Sequence, residues 1–152
     1  MPFISLKRHR KPFRERPDID LRLTDVVVVI RTLKALDIHA STKREMIDRA
    51  LWLVAELSGD FAPRYRSDGV LQNLGVKIQR DHVHPRAELI ASIMAGNEEV
   101  SEVVGRAICC LVTKGEHDRL SEIPPHVKGW KRYHEAAVNY RDMISYVYPG
   151  EA

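Results

Sequence analysis

Cysteine is scarce in this chain, and the two that occur, Cys109 and Cys110, are neighbours. Adjacent cysteines build no disulfide framework, so a reduced, cytoplasmic protein is expected. Long apolar runs are missing as well. The run over residues 26–30 is closed by Asp25 and Arg31, and none in the chain exceeds the six residues of 50–55 and 107–112. That is far short of the roughly 20 residues that span a bilayer, and no membrane partner is expected. The first residues are basic but carry neither an apolar segment nor a small-residue cleavage site, so no secretory signal is expected. Internal repeats, low-complexity stretches, Gly-rich phosphate loops, nucleophile elbows and dinucleotide fingerprints are all absent from the sequence, which removes the function classes built on them. What remains suffices for one domain. A chain of 152 residues, 44% hydrophobic and 30% charged, buries enough apolar surface to offset its ordering entropy.

Charge is unevenly placed. Lys7, Arg8, Arg10, Lys11, Arg14 and Arg16 face a single Glu15, so residues 1–16 carry +5 and the rest −2, together the +3 of the whole chain. Pro2, Pro12 and Pro17 keep this arm from being a long helix. A basic arm of this kind neutralises phosphates by counterion release, and nucleic acid or a nucleoprotein complex is the expected partner. Phe3 and Phe13 are its only aromatic residues, too few to suggest base stacking there.

Residues 17–152 read as a single globular body: a helical part over 17–59, a linker over about 60–75 and a mixed module over 76–139. The run Val26-Val27-Val28-Val29-Ile30 is compatible with a buried strand by its β-branching, but Thr24-Asp25 before it and Leu33 after it favour a helix over 21–37. Thr42 and Glu45 have capping-box spacing, and the apolar residues that follow predict a helix from about 43 to 57, ended near Gly59. Period-two alternation over 76–83 predicts a strand. Pro85 should open a helix that ends at Gly96, and Asn97 should cap the next. Residues 107–113 read as a buried strand, and Thr113 with Glu116 should start a helix bearing His117. A last helix is expected over about 128–139, followed by a short strand or frayed end over 142–148. The fold class is therefore α+β and predominantly helical, with a helical N-terminal part and a small strand–strand–helix module in the C-terminal half.

That module carries the chemistry. Asp81-His82 ends the first predicted strand, and His117 starts the helix after the second. Together with Pro85 and the stretch Cys110-Leu111-Val112-Thr113 through Glu116-His117, Gly129-Trp130 and Tyr133, this order resembles the ββα-metal nucleases of the HNH type over about residues 76–134. The resemblance implies a metal-dependent endonuclease. Asp81 and His117 would hold a divalent cation, magnesium or manganese and less favourably zinc, and His82 would act as general base toward a phosphodiester. Arg80 and Arg86 would join the arm on the phosphates. One family feature is missing: the asparagine eight or nine residues before the helical histidine is replaced by Cys109 and Ile108. This opens an alternative, a non-catalytic nucleic-acid- or nucleoprotein-binding protein such as an accessory factor or inhibitor from a mobile element. A third arrangement would place zinc on His82 and His84, which share one face of a strand, with His117 or Cys110 completing the set. It competes with a plainer assignment: cysteines buried as small hydrophobes and His84 capping the helix after Pro85.

Overall fold

A computed structural model describes residues 13–59, 62–73 and 75–146. It is α+β and mostly helical, and its chain divides into two compact units, one assembled from two separate stretches and the other from three. Among the described residues no helix is long and apolar enough to cross a membrane.

Residues 16–57 and 82–108 form the helical unit. It contains α1 (Ile19–Ala35), α2 (Ala40–Ala55), α4 (Arg86–Ala95) and α5 (Val100–Gly105). In α1 the β-branched run is helical because its spacing serves a helix face. Val26, Val27, Ile30 and Leu33 are buried, while Val28 and Val29 turn outward at 54% and 50% exposure. In a strand, alternation would have buried Val28 with Val26 and Ile30. The α2 helix begins before the expected Thr42 cap. The His39 imidazole Nδ1 accepts from the Ser41 N–H at 3.2 Å, placing Thr42 and Glu45 inside the helix, where Glu45 pairs with Arg49. Gly59 lies past the helix, which ends at Ala55. Gly96 closes α4 in the left-handed conformation, φ 71°, which glycine adopts without a Cβ penalty. Asn97 caps nothing: the N-cap of α5 is Glu99, and the carboxylate of Glu98 takes Arg106 in a two-pronged pair. Ile30, Ile47, Leu51, Ile93 and Val103 form the heart of a hydrocarbon core that draws on all four helices.

The sheet unit comprises the described residues of 13–15, 58–81 and 109–146. Its strands are β1 (Tyr65–Ser67), β2 (Ile78–His82), β3 (Cys109–Thr113) and β4 (Tyr140–Asp142), in the order β2-β3-β1-β4. The strand β1 falls in the stretch that the sequence marks as a linker. Three residues between Pro63 and Asp68 carry no alternation long enough to read, yet they pair on both sides. Tyr65 lies opposite Cys110 of β3 in a parallel ladder and opposite Asp142 of β4 in an antiparallel one. Between β2 and β3, Lys114 N–H donates to Lys77 O at 2.9 Å and Val83 N–H to Ile108 O at 3.1 Å. Residue numbers rise on one side as they fall on the other, so these strands are antiparallel.

Three helices complete the unit: α3 (Asp68–Gln72), α6 (Lys114–Glu122) and α7 (Trp130–Glu135). The capping box at Thr113 and Glu116 forms as its spacing requires, with both reciprocal hydrogen bonds. The last helix is shorter than expected, because Gly129 begins it and Ala136 ends it. After it, the chain forms β4 over 140–142; positions 147–152 lie outside the described residues.

Candidate functional site

Thr113 ends β3 and caps α6 at once, so the strand runs into the helix without a loop. This brings His117, in the first turns of α6, to the neighbouring strand β2. Its Nε2 lies 3.9 Å from Oδ1 of Asp81. The carboxylate–imidazole pair expected from the sequence is thus assembled by an antiparallel strand pair followed by a helix. Asp81 is only 6% exposed, whereas the His117 side chain is 35% exposed.

The other carboxylate oxygen is taken. Oδ2 of Asp81 accepts from Arg132 Nη2 and from the Tyr133 hydroxyl, each at 2.5 Å. Both donors come from α7, and the Arg132 side chain is itself only 15% exposed. A buried carboxylate needs such a partner, because desolvation of an unpaired charge costs several kcal/mol. Tyr133 is fully buried, and burial pushes its phenol well above the usual tyrosine range. Burial likewise raises the Cys110 thiol well above its ordinary value, and the Tyr133 hydroxyl is its hydrogen-bonding neighbour. Cys109 and Cys110 are free and buried, which leaves their sulfurs packed as hydrophobes and unsuited to nucleophilic attack.

Glu116, the residue before His117, is buried, with one carboxylate oxygen held twice. Its Oε1 accepts from Thr113 N–H at 2.9 Å and from the Ser67 hydroxyl at 2.6 Å, tying α6 to β1. Gly69 passes so close that a Cβ there would lie 2.5 Å from that oxygen.

His82 is on the opposite face of β2 from its neighbour Asp81, as strand alternation requires. Its ring meets Trp52 edge-on with centroids 4.5 Å apart, within the helical unit. Arg86 also belongs to that surround. It pairs with Asp48 at 2.6 Å and lies 4.4 Å over the Trp52 ring, so its charge is engaged by a carboxylate and an aromatic face. Arg80 is half-buried on β2. The N-cap position of α4 is taken by Pro85 rather than His84. Of the arm, Arg16 pairs with Asp18 at 3.7 Å and reaches the Leu57 carbonyl, and Arg14 is exposed. Lys7, Arg8, Arg10 and Lys11 lie outside the described residues.

A cation on Asp81 and His117 would find two donor atoms on one side and the Arg132 guanidinium on the same carboxylate. Among the described residues, no group of three or more His, Cys, Asp or Glu side chains is placed to hold a metal ion. Zinc takes three or four protein ligands, whereas magnesium is held by one or two carboxylates with water and substrate phosphates filling its shell. As arranged, the pair offers two protein donors, one of them on a carboxylate already bonded to Arg132. Arg132 and Tyr133 were not readable as site residues: they lie some fifty positions from Asp81, and only the Tyr133 position on an apolar helix face hinted at burial. No family model, curated protein or solved structure matches this chain.

Proposed function

We propose that this chain is a non-catalytic nucleic-acid-associated protein, in which the basic segment 1–16 grips phosphates and the β2–β3–α6 unit is a scaffold. The choice of scaffold over catalyst rests on one observation: Oδ2 of Asp81 is closed off by Arg132 and Tyr133. A guanidinium occupies the charge-balancing role that a cation would otherwise fill. The nucleic-acid partner is supported by the +5 charge of residues 1–16, which suits a polyanion or a nucleoprotein complex. Two free, buried cysteines fit a reducing cytoplasmic setting.

Fluorescence anisotropy with duplex DNA and RNA across a salt series tests this. Neutralising Lys7, Arg8, Arg10 and Lys11 to Gln should flatten the slope of log affinity against log salt by about 3, while His82→Ala should leave it unchanged. A slope that ignores the arm would remove the arm's role.

The endonuclease reading keeps one specific support, the 3.9 Å approach of His117 to Asp81 on a strand–strand–helix framework. Under it, supercoiled plasmid is nicked with magnesium or manganese, calorimetry finds one bound ion, and His117→Ala abolishes cleavage. Those three results together would replace the scaffold reading.

A further inference from the structure

Aromatic residues make up only 7% of the chain, yet four of them gather in the sheet unit. Tyr65, Trp130, Tyr133 and Tyr140 contact one another with centroids 3.7–6.2 Å apart. Four of these five ring pairs meet edge to face, as packing aromatics prefer. The exception is Trp130 on Tyr140, which stack nearly parallel, 14° apart with centroids at 3.7 Å. Gly129 sets this geometry. Its φ of 66° with ψ −151° is open to glycine alone and turns the chain so that α7 starts on the tryptophan.

Tyr133 is sealed in the core, but Trp130 and Tyr140 are half-buried. Both line a surface hollow of about 510 Å³, together with Lys131, His134, Asn139 and Arg141. That volume lies in the range of small-ligand sites, about 300–1,000 Å³. Among the described residues no carboxylate lines it. Lys131, His134 and Asn139 are exposed. Arg141 pairs with Asp68 at 2.9 Å, and its side chain is 58% exposed, so the pair is weak enough to exchange for another anion.

Two stacked ring planes, two cations, an imidazole and an amide in one hollow match the parts of an unpaired nucleotide. A base has a π-face for the rings, a polar edge for the amide and a phosphate for the cations. In a duplex the bases are already stacked, so the fit is to a single strand. We propose that this hollow binds single-stranded nucleic acid, with one base stacking on the Trp130–Tyr140 pair and its phosphates lying at Lys131, His134 and Arg141. The partner class rests on the nucleic-acid reading above, while the residues of the site are other than those of the arm and Asp81.

The test uses the full-length chain with a labelled single strand of roughly 12 nucleotides and mixed sequence, and a duplex of equal length, at low salt. Lys131→Glu should weaken single-strand binding roughly tenfold and duplex binding less than about twofold. Ultraviolet cross-linking of the unsubstituted chain to the single strand should place adducts on Trp130 or Tyr140. Cross-links elsewhere overturn the proposal whatever the substitution does. Equal losses for both probes, or none, also overturn it and leave the arm reading standing. If Lys131→Glu behaves as stated while neutralising the arm changes nothing, the hollow stands and the arm reading falls. Failure of both probes to bind ends both.

Discussion

The helical and sheet units fill their interiors with different chemistry. The helical core is hydrocarbon, from Val26 through Ala107. All the buried polar or charged residues among those described, namely Arg66, Ser67, Asp81, Thr113 and Glu116, belong to the sheet unit. Hydrocarbon burial stabilises at about 25 cal/mol per Å² without caring much about direction, so that interior accepts substitutions that preserve volume. Buried polar groups work the other way. Each bond has a length and an angle, and a lost partner leaves a desolvated group behind. The sheet unit thus holds its parts in fixed places, which is where a binding surface needs them.

The contrast is broken or sharpened by four measurements. The largest effect is expected at the buried ion pair. Asp81→Asn keeps the shape but strips Arg132 of its counter-charge, and should lower unfolding free energy by about 3–5 kcal/mol in denaturant titrations. A loss under about 1 kcal/mol would show that the polar interior is not holding the unit together. Gly69→Ala comes next. Its new methyl would press on the Glu116 carboxylate, at a cost of about 1–3 kcal/mol by thermal or chemical unfolding. In the helical unit Ile47→Val removes one methylene from a fully buried site and should cost only about 0.5–1.5 kcal/mol.

The smallest effect concerns acid. Arg106, and after it the Ser92 hydroxyl, hold the Glu98 carboxyl at about 2, below its ordinary 4.5. A depressed carboxyl stabilises the fold above the unfolded value, and the contribution fades as pH falls from about 4.5 through about 2. An NMR titration of Glu98 should show it still ionised at pH 3, and Arg106→Gln should return it toward 4.5.

Much of this fold is legible in the sequence where one element carries its own signal. The capping box at Thr113 and Glu116 needs only its three-residue spacing, and the left-handed Gly96 marks its helix end directly. The strands over 78–82 and 109–113 announce themselves by alternation and by a continuous apolar run. Signals that depend on competition were harder to read. His39 takes the cap of α2 from Thr42, because an imidazole nitrogen accepts the Ser41 N–H one turn earlier. The strand β1 exists because β3 and β4 pair with it on both sides, which its own three residues cannot advertise. For the site, the meeting of Asp81 with His117 was foreseeable from strand order. Arg132 was not, because no local spacing connects residues of distant elements. Nor was the hollow: the stacking of Trp130 on Tyr140 follows from a strand too short to anticipate in detail.

The chain leaves the sheet unit after Asp81, builds α4 and α5 into the helical unit, and returns at Cys109. Half of one unit is therefore spliced into the turn of what would otherwise be a plain hairpin. No single cut separates the two, and neither is a cassette for transplanting. On the ribosome, α1 and α2 emerge first and must wait, oily face uncovered, until residue 108 is made. The sheet waits longer still, for its edge at Tyr140–Asp142. A nascent chain arrested between those points would expose apolar surface that the finished protein hides, and that interval is where chaperone capture should concentrate.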